Sequence, residues 1–192
     1  MCEPGPPHNS ASVARHLARQ LDSRGQQYAL GGAIALAYWG TPRGTVDVDL
    51  TLYLPPERPS ECTLLLADFD CEFSAAEAAQ SLREHGFCRV TLRGLRVDVF
   101  LPTVPFYEAA RRRRKQVELG GQPVTIWDAE SLAVFKMMFF RRKDLTDVEQ
   151  ILRTQGAAFD RTWVRGHLAA MYGPRDPRLV EWDNLTGDVA PS

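Results

Sequence analysis

The chain has 192 residues, of which 44% are hydrophobic and 24% are charged, a composition typical of a globular domain with a buried core. Its 23 basic and 24 acidic residues give a formal net charge of -1, so the charge of the whole chain does not indicate a polyanionic partner. The 4 cysteines and 4 histidines show neither a Cys-x-x-Cys pair nor zinc-ligand spacing. We therefore expect reduced thiols and no zinc site.

The chain shows no pattern typical of export or membrane insertion. Residues 1–10 are rich in proline and lack the basic and apolar segments of a signal peptide. The longest apolar stretch, residues 28–39, is shorter than the roughly 20 residues that cross a bilayer as a helix. We expect a cytoplasmic protein without membrane contact. We also expect a flexible tail over residues 1–10, one domain over residues 11–155 and a C-terminal helical segment over residues 156–192 that packs on the same domain.

Hydrophobic spacing and turn residues predict the elements of the first half of the chain. Apolar residues at helical spacing from Val13 predict a first helix that ends at Gly25. A short strand over residues 28–30 then leads into a helix of small residues over 33–39. Residues 46–54 alternate with period two and predict a strand, whereas the stretch that follows, up to residue 73, shows no clear pattern.

Gly86 closes the next predicted helix, which covers residues 75–85. Two strands over residues 88–92 and 95–101 form a predicted hairpin around Arg93 and Gly94. The remaining predicted elements are a basic helix over 107–115, a hairpin around Gly120 and Gly121, and helices over 128–142, 145–152 and 163–171.

Two of the predicted strands carry carboxylates within an apolar alternation. Asp47 and Asp49 share one face of the first strand, and Asp98 lies on the polar face of the second. Three like charges side by side are unfavourable unless a cation or protons neutralise them. Mg²⁺ prefers oxygen ligands and keeps open positions for phosphate oxygens, so such a set is typical of a magnesium site. The alternative is that the carboxylates lie on the solvated face of half-exposed strands.

Gly31 and Gly32 stand at the predicted turn from a strand into a helix. Without side chains, the backbone N–H groups of such a turn can approach phosphate oxygens at the helix N-terminus. The alternative is a turn that lets the helix pack tightly on the sheet. In this chain the Gly-Gly pair, the run from Thr41 to Thr45, the Asp-x-Asp strand and the Asp98 strand follow one another in this order.

This ordered set resembles the nucleotidyltransferase superfamily, and within it the abortive-infection toxins of the AbiEii type and related minimal nucleotidyltransferases. The matching segments read LGGAIALAYWGTPRGTVDVDLTLYL, LRVDVFLP and FKMMFFRRKDLTDVEQIL, and the resemblance spans residues 28–152. It implies an α/β (α+β) fold in which helices flank a small mixed sheet and the C-terminal helices close a nucleotide cleft. Gly32 departs from the superfamily, since many members carry serine there.

The resemblance also implies roles for individual residues. Asp47, Asp49 and Asp98 would bind Mg²⁺ (or Mn²⁺) and carry the reaction, with Asp98 also a candidate general base. The candidate nucleotide-binding residues are Gly31, Gly32, Arg43, Thr45, Lys136 and Lys143.

The segment around Lys136 admits several explanations. Lys136 lies among apolar residues of a predicted helix, so we expect either a phosphate or carboxylate partner or a side chain that reaches solvent. Asp144 and Asp147 are secondary candidates for the site. Helix capping and ordinary surface pairing would explain these two residues as well.

The activity that the resemblance implies is Mg²⁺-dependent transfer of a nucleoside monophosphate from an NTP to an acceptor hydroxyl on an RNA end or a protein. The implied setting is a toxin–antitoxin or phage-defence pair with a cognate partner. One alternative is a non-catalytic nucleotide-binding or antitoxin-like protein with the same fold, and another is a structural domain with solvated carboxylates. The cations from Arg111 to Lys115, predicted to lie on one helix, are either a contact for an RNA acceptor or a solvated charge run.

Overall fold

The computed structural model describes residues 9–187, which divide into two compact units. The first unit contains the described residues up to Ile34 together with Gly44–Ile126, and the second contains Ala35–Arg43 and the described residues from Trp127 onward. Most of the predicted N-terminal tail, and the chain after Gly187, lie outside the described residues. Between residues 9 and 187, no helix has both the length and the apolar character that crossing a membrane requires.

The strands described in the first unit form one mixed sheet with the order β3-β4-β2-β1-β6-β5. They are β1 (Tyr28–Leu30), β2 (Asp47–Leu52), β3 (Phe87–Leu92), β4 (Leu95–Phe100), β5 (Lys115–Leu119) and β6 (Gln122–Ile126). The pairs β2 with β4 and β1 with β6 are parallel, and the other neighbours are antiparallel. The prediction of a mixed sheet flanked by helices is confirmed.

The first unit also contains helices. They are α1 (Ser10–Ser23), the start of α2 (Gly32–Trp39), α3 (Pro59–Asp68), α4 (Ala75–His85) and α5 (Phe106–Arg113). Of these helices, α1 and α4 contact the sheet. The apolar stripe of α1, which includes the fully buried Val13, Leu17 and Leu21, packs on the sheet. Asn9 caps this helix by accepting a hydrogen bond from the Ser12 N–H at 2.9 Å, so Asn9 and Ser10 belong to the start of α1.

The segment from α4 to β4 forms as predicted. Gly86 ends α4 with a φ of 65°, in the left-handed region that favours glycine. The strands β3 and β4 then pair as a hairpin whose turn is Arg93 and Gly94. A two-residue turn sets the register of the whole hairpin, so Arg89 of β3 lies opposite Asp98 of β4.

The predicted basic helix is too long, because α5 ends at Arg113. Arg114 has an extended conformation, with φ -49° and ψ 147°, and Lys115 begins β5. The guanidinium of Arg114 donates to the backbone oxygens of Tyr28 at 2.7 Å and Arg111 at 2.8 Å, and it lies over the ring of Tyr53. The five cations therefore do not share one helix, and Arg114 joins the end of α5 to β1.

The second unit is helical. It contains the remainder of α2 together with α6 (Ala129–Phe139), α7 (Arg142–Gln155), α8 (Arg161–Tyr172) and α9 (Pro177–Thr186). The helix predicted over residues 128–142 is shorter than expected, because Phe140 has a φ of 54° and ends α6. Arg178 of α9 lies over the Phe140 ring at 5.3 Å, a contact that holds this residue in place.

A buried ion network joins α6 to α7 in the second unit. The ammonium of Lys136, which is 4% exposed, lies 2.6 Å from an oxygen of Asp147 and 3.9 Å from one of Asp144. Arg43 also donates to Asp147, at 3.2 and 3.3 Å, and Arg141 donates to Asp144 at 2.6 Å. Lys136 therefore has carboxylate partners, and the alternative in which its side chain reaches solvent is wrong. Asp144 also accepts from the Arg141 N–H, which confirms its capping role.

Replacing Lys136 tests how strongly this network stabilises the protein. Lys136→Met should lower the free energy of unfolding by about 3 kcal/mol, because two buried carboxylates lose their shared cation. Urea denaturation measures the change. Lys143→Met is the matched control, since Lys143 is exposed on the same helix pair and should change stability little. Equal stabilities of the two variants would contradict the structural role of Lys136.

Arg114 and Arg112 offer a second comparison. Arg114→Gln should destabilise the protein by about 1 to 2 kcal/mol, because charged hydrogen bonds to two backbone oxygens are lost. Arg112→Gln removes the same charge from a side chain that is 77% exposed and should have little effect. Thermal unfolding of both variants checks this, and a larger loss for Arg112→Gln would show that the assignment is wrong.

Candidate active site

Asp47, Asp49 and Asp98 lie on one face of the sheet, here called the acidic face. Asp47 and Asp49 alternate along β2, and the parallel pairing of β2 with β4 places Asp49 directly beside Asp98. The alternating apolar residues of both strands, Val48, Leu50, Val97 and Val99, are fully buried. Hydrophobic burial therefore holds these carboxylates side by side, as the alternation predicted.

The Gly31–Gly32 turn lies against the acidic face. The Gly31 N–H donates to the backbone oxygen of Asp49 at 2.9 Å. Gly32 has a φ of +53°, and a Cβ added to it would lie 1.7 Å from a carboxylate oxygen of Asp49. A side chain at this position would require that carboxylate to move, and it would also have to adopt a φ that residues other than glycine rarely take. The departure from serine at Gly32 thus has a steric reason here, and the role of the turn in phosphate binding stays a prediction.

Two arginines, here called the arginine clasp, hold the oxygens of the acidic face. Arg89 of β3 donates to both oxygens of Asp98, at 2.7 and 3.3 Å. Arg96 of β4 donates to Asp47, and its Nε lies 3.7 Å from Asp98. The hydrogen bond to Asp98 raises the pKa of Arg89 above its ordinary value, so this guanidinium stays charged.

The arginine clasp makes the acidic face less negatively charged than the sequence predicted. Three carboxylates and two guanidinium ions leave the five side chains with a net charge of -1, instead of the -3 of the carboxylates alone. The sequence predicts repulsion among the carboxylates of the metal-free protein, whereas the structure places counter-ions within the face. The sequence contained a signal for Arg89, because the register of a hairpin with a two-residue turn puts it opposite Asp98.

The predicted nucleotide-binding side chains fall into two groups. In the first unit, the Thr45 hydroxyl bonds to the carboxylate of Asp47 and so orients that side chain. In the second unit, Arg43 and Lys136 both bind Asp147, while Lys143 is exposed on the first turn of α7. Nucleotide contacts by these residues stay predictions.

The donor chemistry of the acidic face fits Mg²⁺, because carboxylate oxygens are its usual protein ligands. Arg96 contacts Asp47 and lies near Asp98, so carboxylates from both strands face the same guanidinium group. Among residues 9–187, no three His, Cys, Asp or Glu side chains converge as an assembled metal-ligand group. In the arrangement seen here, the oxygens of Asp47 and Asp98 face guanidinium groups instead.

Two solved structures of the antibiotic-resistance factor ANT(2'')-Ia share the architecture of this chain. The solution structure gives a TM-score of 0.59 at 14% identity and covers 84% of this chain and 92% of that chain. The crystal structure with adenylyl-2''-tobramycin gives a TM-score of 0.55 at 13% identity and covers 94% and 98%. No family model matches the sequence, and no curated protein matches it significantly. With the mixed sheet and its helices, these likenesses show that the chain has the nucleotidyltransferase fold.

Proposed function

We propose that this protein is a Mg²⁺-dependent nucleotidyltransferase that transfers a nucleoside monophosphate from an NTP to an acceptor hydroxyl. The observation that carries the proposal is the acidic face itself, where parallel pairing brings Asp49 beside Asp98 next to the Gly31–Gly32 turn. The fold supports it, since ANT(2'')-Ia has the same architecture and one of its structures holds the adenylylated compound adenylyl-2''-tobramycin. A structural domain with solvated carboxylates predicts an exposed Asp98, whereas this residue is only 9% exposed.

In this proposal, each residue of the face has a defined task. Asp47, Asp49 and Asp98 would hold Mg²⁺, which when bound supplies positive charge to phosphate oxygens. The acceptor oxygen forms a bond to the α-phosphorus while the bond to the β-phosphate oxygen breaks, and pyrophosphate leaves with that electron pair. Asp98 accepts the proton of the acceptor hydroxyl. The backbone N–H of Gly32, at the start of α2, would bind phosphate oxygens, and Gly31, whose own N–H donates to Asp49, would shape the turn that orients the triphosphate.

We propose RNA ends or a protein as the acceptor, and a toxin–antitoxin or phage-defence pair of the AbiEii type as the setting. The setting rests on the sequence resemblance alone. An RNA acceptor is supported by exposed cations at Arg112 and Lys115. Arg112 also lines an open polar cleft of about 500 Å³ together with Arg111 and Arg114.

Substitution of the carboxylates tests the proposed activity. Asp49→Asn should reduce transfer from α-labelled NTP to components of a cell extract at least about a hundredfold, because a metal ligand is lost. Asp98→Asn should keep NTP binding but lose transfer, since it removes the proton acceptor. Labelling with each of the four NTPs, with and without Mg²⁺, measures both effects and identifies the acceptor.

The control for these variants is Asp68→Asn, which removes a carboxylate that is 67% exposed and paired only loosely with Arg24. It should label the extract as the wild type does. If Asp49→Asn were equally active, the metal assignment would be wrong. If wild-type protein binds NTP and Mg²⁺ but labels nothing with any NTP, the non-catalytic nucleotide-binding alternative replaces the proposal.

The salt dependence of RNA binding tests the acceptor. Arg112→Gln with Lys115→Gln should lower the slope of log affinity against log salt by about 1 to 2, because each cation that contacts a phosphate releases roughly one counterion. Arg114 is left unchanged, since it joins α5 to β1. Arg58→Gln with Arg83→Gln removes the same charge from exposed positions and serves as the control. Identical slopes for both double variants would exclude this cation pair as an RNA contact.

A further inference from the structure

The two arginines of the arginine clasp differ in exposure from the carboxylates that they bind. The side chains of Arg89 and Arg96 are 54% and 42% exposed, whereas those of Asp98 and Asp47 are 12% and 25% exposed. The carboxylates are held by the strands, but the guanidinium groups already contact solvent. Either guanidinium can therefore leave its carboxylate at a small desolvation cost, while the carboxylates stay in place.

The arginine clasp uses the same oxygen atoms that a metal ion would use. Arg89 binds both oxygens of Asp98, and Arg96 binds Asp47 while lying 3.7 Å from Asp98. A divalent ion needs these oxygens at about 2.0 to 2.1 Å, a distance that leaves no room for an interposed guanidinium. An ion that binds these oxygens from the side that the guanidinium groups occupy breaks at least one of these arginine contacts.

We propose that Arg89 and Arg96 act as internal counter-ions that take the place of the metal on the acidic face and compete with Mg²⁺ for it. This inference rests on the proposed function, because it takes the acidic face as the metal site. In the metal-free protein the arginine clasp offsets the repulsion among the carboxylates. The same contacts weaken the affinity of the face for a divalent ion, so Arg89 and Arg96 are positioning residues that set the metal affinity.

The test measures binding of Mn²⁺ to the full chain without nucleotide, from the electron paramagnetic resonance signal of the free ion. Arg96→Gln and Arg89→Gln should each bind Mn²⁺ up to about fivefold more tightly than the wild type, the range expected for removal of one exposed ion pair. The double variant should bind more tightly than either single variant. Affinities in the double variant equal to or weaker than wild type would overturn the proposal.

A general electrostatic effect is separated from competition by Arg93→Gln. Arg93 lies in the turn of the same hairpin and contacts His16 at 3.1 Å, so its replacement removes one positive charge without removing a carboxylate contact. Its Mn²⁺ affinity should stay close to that of the wild type. Arg96→Lys keeps the charge but loses the planar group that reaches both carboxylates, and it should bind with intermediate affinity. An equal gain in Arg93→Gln would show that charge alone is responsible.

Thermal unfolding gives a readout that does not depend on activity. In the presence of a chelator, the double variant should unfold at a lower temperature than wild type, because the carboxylates lose their counter-ions. Excess Mn²⁺ should reduce this difference in unfolding temperature, because the ion replaces the lost charges. A double variant as stable as wild type in chelator would overturn the counter-ion role. If neither wild type nor any variant binds Mn²⁺, the metal site itself is wrong. If the wild type and the variants bind Mn²⁺ with equal affinity, the metal site stands and only the proposed competition by Arg89 and Arg96 is wrong.

Discussion

Parallel pairing of β2 with β4 is the constraint on which the candidate site depends. It places Asp49 beside Asp98, and the buried apolar residues between the carboxylates set its register. A shift of one residue would move Val48 and Leu50 to the polar face, so hydrophobic burial and carboxylate placement cannot be changed separately. The strands thus hold like charges together with the same interactions that stabilise the core.

Both units of the chain offset buried or crowded carboxylates with cations from neighbouring elements, but they do so at different depths. In the second unit the cation is the buried ammonium of Lys136, which bridges Asp144 and Asp147. In the first unit the cations are Arg89 and Arg96, whose side chains are about half exposed. Removal of one partner from a buried pair is costly, whereas an exposed pair is weak and can exchange its partner. The buried network of the second unit is therefore suited to a structural role. The exposed ion pairs of the first unit can instead be replaced by another cation.

The Gly31–Gly32 turn has a packing role in the structure and a proposed role in phosphate binding. The sequence left open whether the turn binds phosphate or allows close packing. The structure demonstrates a close approach, since the carboxylate of Asp49 occupies the space of a Gly32 side chain. Phosphate binding by the Gly32 N–H remains compatible with this packing, because the close approach concerns the missing side chain, whereas the Gly31 N–H already donates to the backbone oxygen of Asp49.

Local signals in the sequence were enough to place the alternating strand with Asp47 and Asp49, the helix that Gly86 ends and the hairpin around Arg93. Residue periodicity and turn chemistry act within a few positions, so they can be interpreted without knowing the fold. The parallel neighbour of β2 and the carboxylate partners of Lys136 depended on contacts between residues far apart in the chain. The ends of α5 and α6 also differed from expectation, because Arg114 binds β1 and Arg178 packs on Phe140. Such contacts form only when distant segments of the chain come together, so local sequence patterns do not predict them.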